Sequence, residues 1–229
     1  MLSPAADYVS AGEEGLQVWI RWHGHSCFEL KDGATVITDP HDGKSIGIPA
    51  PNLMGDIVVI SHNHFDHNCT RIVKGHDLSV IKDPIMTVER GVRIQGIETF
   101  HDSSHGEKRG RNIVFKIEMD GVSFCHLGDL GHMLDDSQLS QIGTPDVLFI
   151  PVGNVFTLDV KSAIKLAEEI RPKVIIPMHY RIGGLSLSIR PVDDFLAGFP
   201  EDRILKVGNE MDFKENELPE NGEVWVFSL

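Results

Sequence analysis

Residues 62 to 67 read His62-Asn63-His64-Phe65-Asp66-His67, three histidines and one aspartate in a row of six. They stand directly after the apolar run Ile57-Val58-Val59-Ile60. Imidazole and carboxylate are the side chains that hold borderline divalent cations, and a hydrophobic core has no other use for four such groups. On an extended segment side chains two apart point the same way, so His62 and His64 can chelate one ion together. Asp66 and His67 follow Phe65, where the chain is expected to turn into a short helix over residues 66–75. That turn would aim them at a second point beside the first. A polar loop whose histidines bond one another locally is the competing reading.

Ligands must converge from a rigid scaffold, so partners are expected at other strand ends. His101 ends the run "IETFH", Asp129 ends "FCHLGD" and His179 ends "VIIPMH". His105 competes with His101 for its place, but His101 continues the strand register whereas His105 follows Ser103-Ser104 before Gly106. His126 shares a strand face with Phe124 and Ile117 and is expected to be a hydrogen-bonded core residue. His132, three positions after Asp129, is a partner supporting the ligands, a group that protonates a leaving group, or an exposed loop residue. His23 and His25 flank Gly24 near a strand start. Lys108, Arg109 and Arg111 in "GEKRGRN", with Arg181 and Arg190 around "IGGLSLSI", could grip an anion or simply be solvated.

The elements that position these residues are legible as periodicities. Strand patterns cover residues 16–22, 26–30, 34–40, 56–62, 78–83, 86–90 and 91–101. In the last, Val92 and Ile94 share one face while Ile97, Thr99 and His101 share the other, which predicts a bulge at Gly96. Asp32-Gly33 signals one hairpin and Asp120-Gly121 a second, with Met119 opposite Val122. Beyond residue 129 strands and helices alternate. Continuous apolar runs at 146–153 and 173–180 are buried strands. Residues 160–172 form a helix with Val160, Ala163, Ile164, Ala167 and Ile170 on one stripe. A short helix at 191–199 and strands at 203–209 and 223–229 complete the chain. Residues 1–15 are expected to be a flexible lead-in, and 16–229 one domain with two sheets and flanking helices.

Composition narrows the function. The 229 residues are 41% hydrophobic and 24% charged, as in an ordinary soluble globular protein. Lysine plus arginine number 21 against 34 acidic residues, and the resulting net charge of -13 repels polyanions, so nucleic acid is not an expected partner. Three cysteines without a CxxC pair suggest neither a disulfide framework nor a thiolate zinc site, and fit a reducing cytoplasm. Neither a leader peptide nor a membrane span is expected. The twelve histidines are roughly twice what composition alone would give.

The series His62-x-His64-x-Asp66-His67, then His101, Asp129 and His179, together with Asp39 in "VITDP", resembles the metallo-β-lactamase superfamily of hydrolases. Five motifs appear in order and span the chain from about Leu16. The stretches "GHSCFEL", "FHDSSHGEKRGRN" and "HLGDLGH" are most similar to the branch near ascorbate-6-phosphate lactonase, with N-acyl-phosphatidylethanolamine-hydrolysing phospholipase D more distant. The resemblance implies an α/β (α+β) fold, a four-layer αββα sandwich of two mixed β-sheets packed face to face with helices outside. It implies two divalent ions, zinc first with Mn²⁺ or Fe²⁺ as alternatives: His62, His64 and His101 on one, Asp66, His67 and His179 on the other, Asp129 bridging. Asp39 would tie loops beneath the site. His64 stands where oxygen-reducing diiron members carry glutamate, which favours hydrolysis over redox chemistry. In family members the stretch matching His23 and His25 lies close to the site, and neither is expected to be a ligand.

The expected activity is attack by a metal-bridging hydroxide on a small ester, lactone or phosphodiester, with no serine or cysteine nucleophile. Asp66, Asp129 and His132 are the catalytic candidates, and Lys108, Arg109 and Arg181 the candidates for binding a small anionic substrate, phosphorylated ones included. The alternatives are a nuclease of the same fold and a metal-binding metabolite sensor without turnover.

Overall fold

The computed structural model describes residues 17–220 and 222–229; the expected lead-in over residues 1–15 lies outside them. In β1 (Val18–Trp22) Val18, Ile20 and Trp22 are buried while Trp19 and Arg21 are half-buried, the period of two that gives a strand one core face. β2 (Phe28–Asp32) and β3 (Ala34–Thr38) form the hairpin expected at Gly33, and β4 (Ile57–Val59) and β5 (Ser79–Ile81) extend the sheet in parallel. The next six strands build a second sheet. They are β6 (Met86–Glu89), β7 (Val92–Phe100), β8 (Arg111–Met119), β9 (Val122–His126), β10 (Val147–Pro151) and β11 (Val174–Met178). β12 (Ile204–Lys206) and β14 (Glu223–Val226) join that second sheet, and β13 (Glu210–Phe213) returns to pair with β1.

Both sheets are mixed. The first runs β13-β1-β2-β3-β4-β5, the second β12-β14-β11-β10-β9-β8-β7-β6. Their inner faces share one apolar core, in which Ile20, Leu30, Val36 and Val59 meet Ile94, Phe115, Ile117 and Phe149. The Phe28 and Phe149 rings, one from each sheet, lie 4.5 Å apart between centroids. This is the expected face-to-face sandwich of a metallo-β-lactamase-type fold. α1 (Asp136–Ile142) packs on β7, and α2 (Val160–Ile170) on β10 and α3 (Asp193–Leu196). On the outer side of β3 and β4, Ile37 and Val58 are covered by Leu53 and Val73 from irregular segments instead.

The hairpin between β8 and β9 has the expected register, Met119 opposite Val122, with Asp120 and Gly121 both at positive φ (47° and 76°) as a type I′ turn demands. Two local expectations fail. No bulge forms at Gly96: the β7–β8 ladder runs unbroken from Arg93↔Glu118 to Phe100↔Arg111. Glycine stands there because the backbone of Asp83 and Pro84 crosses it, and a Cβ would lie 2.7 Å from the Asp83 carbonyl oxygen. The helix expected over 66–75 is only a 3₁₀ turn, Thr70–Ile72, and the Cys69 N–H before it donates to the distant Pro40 carbonyl at 2.8 Å. Two elements went unread: β13, and α1, whose capping box between Asp135 and Gln138 was the available signal.

β1, β3 and β4 run parallel in the first sheet and β7, β9 and β11 in the second, and residues just past their C-terminal ends meet at one edge of the sandwich. The Ile113 N–H donates to the Ser61 carbonyl at 2.8 Å, joining β8 to the end of β4 across the sheets. A methyl group at position 96 would press on the main chain of Asp83 and Pro84 and on Ile113 Cγ2, so Gly96→Ala is expected to destabilise the fold by about 1–3 kcal/mol. The midpoint of urea unfolding measures it, and an unchanged midpoint would show that 83–84 can move aside.

Candidate metal centre

Every expected ligand comes to this edge. His62, His64 and His101 form one group of donor atoms within 4.8 Å of one another, and Asp66, His67 and His179 form another with His25. Asp129 lies between them. Its Oδ2 is 3.7 Å from His62 Nε2 and 3.2 Å from His101 Nε2 on one side. On the other it is 3.4 Å from His67 Nε2 and 3.1 Å from His179 Nε2. A tetrahedron with bonds of about 2.1 Å has edges of about 3.4 Å, so these separations are those of ligands sharing a cation. The donor set fits divalent metal in a second respect. His62 Nε2 and Asp129 Oδ1 are buried without a hydrogen-bond partner among the described residues.

The charge states suit ligation. Burial lowers His62 well below the usual imidazole range and His64 below it, which leaves them neutral with lone pairs free. Burial would raise the carboxyl of Asp129, but His179 and His67 outweigh it and hold it ionised. Asp66 is likewise held low, against burial, by its bond to His25 and the charge of His67. His67 is the exception. Burial works to lower it, yet Asp129 and Asp39 raise it well above the ordinary value.

Asp39 sets the tautomers of two of these histidines, with which it forms a third group of donor atoms within 4.8 Å of one another. Its Oδ2 accepts from His67 Nδ1 at 3.0 Å and from the Ser61 hydroxyl at 2.6 Å, and Oδ1 accepts from the Ser61 N–H at 2.7 Å. Ser61 Oγ in turn lies 2.9 Å from His62 Nδ1. With both Nδ1 atoms protonated, the Nε2 atoms face the cluster as acceptors. The backbone is bent for this purpose: Asp39, His179 and His25 all sit at positive φ (37°, 53° and 56°), which non-glycine residues rarely adopt.

Asn112 and Gly128 place Asp129. Asn112 Oδ1 accepts from the Asp129 N–H at 2.9 Å, while Nδ2 donates to Thr99 Oγ1 and the Leu127 carbonyl. Gly128, at φ 58°, passes so close to Ser61 that a Cβ would lie 2.5 Å from the serine Cβ. Asp102, next to His101, accepts from the N–H groups of Ser104, Gly106, Lys108 and Arg109, and so shapes the whole 102–109 loop. Neither Asn112 nor Asp102 was singled out from sequence, since an amide or carboxylate bonding main chain leaves no spacing pattern.

The remaining candidates divide. His132 is not free for proton transfer: Nε2 accepts from the Phe100 N–H at 3.1 Å and Nδ1 lies 2.8 Å from the Met133 carbonyl. It serves the loop after β9 instead. His126 is the core residue expected, with Nε2 on the Ser26 carbonyl and Nδ1 accepting from the Gly128 N–H. His105 is exposed and stays out of the cluster, packing edge-on to Phe100. A recess of about 290 Å³ opens beside His62 and His64, lined also by Ser61, Lys82, Arg109 and Arg111. Of the expected anion-binding residues Arg109 lines this recess, and so does Lys82, unremarked in the sequence. Lys108 and Arg181 lie outside this lining.

A family model described as a β-lactamase superfamily domain matches residues 19–179. A UPF0173 metal-dependent hydrolase of Thermoplasma acidophilum is 30% identical over 185 residues, 70% of this chain and 82% of that protein. One from Methanosarcina barkeri is 31% identical over 192 residues, 71% of this chain and 83% of that protein. Among solved structures, a candidate Zn-dependent hydrolase of the metallo-β-lactamase superfamily from Thermotoga maritima is 42% identical, with a TM-score of 0.77, covering 92% of this chain and 98% of that one.

Two measurements probe the arrangement. Because His67 is raised, a cation must displace its proton, so affinity falls as pH drops below that raised value. Each unit should cost about tenfold per proton released. Zn²⁺ titrations against a competing chelator at several pH values check the slope, and a flat profile would contradict the protonation of His67. Asp39→Asn keeps the volume but removes the acceptor charge, and should weaken Zn²⁺ binding about 10–100-fold in the same titration.

Proposed function

We propose that this chain, which belongs to the metallo-β-lactamase superfamily of metal-dependent hydrolases, cleaves a small ester, lactone or phosphodiester bearing an anionic group. The observation that carries the reading is Asp129 Oδ2, set 3.1–3.7 Å from four imidazole nitrogens that belong to two separate donor groups. A carboxylate so placed supports a pair of cations rather than one. Nitrogen and carboxylate donors without thiolate suit zinc first. Bound there, divalent cations supply Lewis acidity and ease the deprotonation of water near neutral pH.

The chain's own residues supply the rest. His62, His64 and His101 would hold one cation, Asp66, His67 and His179 the other, and Asp129 both. Burial of Asp129, His62, His67, His101 and His179 keeps bulk water from weakening the electrostatics of the cluster. His64 is only half-buried and borders the recess, so substrate approaches from its side. Lys82 and Arg109 line the same recess and bring positive charge to a chain of net charge -13. Arg109 is steadied by the Phe156 ring, 4.6 Å below its guanidinium. Arg111 is less free, since it pairs with Glu98 at 2.9 Å. An anionic substituent held by Lys82 and Arg109 would leave the scissile bond facing His62 and His64. The partner this requires is a small anionic molecule. No helix among the described residues is long and apolar enough to cross a membrane.

Asp129→Ala is expected to abolish turnover, by about a hundredfold or more, since even outer partners of a metal site are worth 10–100-fold. Lys82→Ala and Arg109→Ala should each raise KM for anionic esters or phosphodiesters about tenfold, with kcat and neutral esters little affected. A Zn²⁺-loaded enzyme inert toward ester, lactone and phosphodiester panels would sink the hydrolase reading. Equal effects on charged and neutral substrates would sink the anion preference alone.

A further inference from the structure

The buried histidines fall into two classes by what their ring nitrogens touch. Those away from the cluster are satisfied by main chain on both sides. His41 bonds the His23 carbonyl and the Gly43 N–H, and His126 the Ser26 carbonyl and the Gly128 N–H. His25 is different. It is fully buried, yet its ring touches no backbone partner: Nδ1 has no hydrogen bond among the described residues. In this it matches His101 and His179, whose Nδ1 atoms are also unpartnered. Its Nε2 meets only cluster atoms, Asp66 Oδ2 at 3.0 Å and His67 Nε2 at 3.2 Å.

With Asp39 accepting a hydrogen bond from His67 Nδ1, it is Nε2 of that ring that presents a lone pair once a cation displaces its proton. His25 Nε2, His67 Nε2 and Asp66 Oδ2 then make a triangle with sides of 3.0, 3.2 and 3.6 Å. Those are the spacings already seen around Asp129. The backbone holds the ring in place: residue 25 is left-handed at φ 56°, and its carbonyl accepts from the Trp22 indole N–H and the His179 N–H. His25 and His179 are thereby locked together, with ring centroids 4.2 Å apart.

We propose that His25 is a fourth protein ligand of the Asp66–His67–His179 centre, an inference that rests on the two-cation reading above. With Asp129 that centre has five protein donors, against four for His62, His64 and His101 with Asp129. The two cations would then differ in kind. One is enclosed by side chains that are almost wholly buried and is held as a resident ion. The other borders the recess and keeps room for water and substrate. The alternative is that Nε2 carries a proton and merely donates it to Asp66.

A crystal structure of the Zn²⁺-loaded wild-type protein, with anomalous data at the zinc edge, separates the two. The proposal expects His25 Nε2 at about 2.1 Å from a cation. Two zinc ions bound with His25 turned to Asp66, beyond bonding distance of either, would overturn it while leaving the hydrolase reading intact. No zinc at either centre would defeat both. His25→Asn gives a solution test, because its amide can still donate to Asp66 but supplies no imidazole. With folding checked by circular dichroism, removal of the slowly exchanging zinc by EDTA, followed by metal analysis, should accelerate at least about a hundredfold. An unchanged rate would count against ligation.

Discussion

A carboxylate buried among imidazoles governs this structure. Asp129 is 2% exposed, and an ionised group so far from water is tolerable only if charge and hydrogen bonds surround it. Four imidazole nitrogens crowd its Oδ2, while its own N–H is taken by Asn112. Much of the surrounding architecture reads as the means of keeping it there. The tight turn at Gly128 lets the chain pass against Ser61, and Asn112 links β8 to the ends of β7 and β9 through fully used amide atoms. A buried polar network of this kind is stabilising only when complete, which couples the site to the fold.

Strand ends supply the precision. The donors leave from the C-terminal edges of strands in both sheets, and each sheet is rigid because a common core of large apolar side chains locks the two together. Where the direction of a strand would send a side chain astray, the backbone bends into the left-handed region, as at Asp39 and His179. Such residues are costly, and they persist because Asp39 is fixed by Ser61 and His67, and His179 by the carbonyl of residue 25.

The electrostatic design separates surface from site. The chain as a whole is strongly acidic, yet the recess beside His62 and His64 gathers Lys82, Arg109 and Arg111. An anion entering the recess would meet that positive charge, as the proposed substrate requires. Asp102 underlies the recess. By accepting four N–H groups it fixes the loop that carries Arg109, directly after His101.

The primary structure determined the ligand types and most of their scaffold. Histidine spacing in residues 62–67 and apolar runs ending at His101, Asp129 and His179 carry that information locally, because strand periodicity and donor chemistry both act over a few residues. The Asp120-Gly121 turn and the helix at Val160–Ile170 were legible for the same reason. Three things were decided only by the tertiary structure. The unbroken ladder at Gly96 depends on a backbone crossing from residues 83–84. The retirement of His132 to a structural role depends on the Phe100 N–H, 32 positions away. The place of His25 within the cluster depends on Asp66 and His67, more than forty positions on. A side chain's chemistry is written in its identity, but which lone pair or N–H it faces is set by segments distant in sequence. Only the packing of the two sheets brings those segments within hydrogen-bonding range.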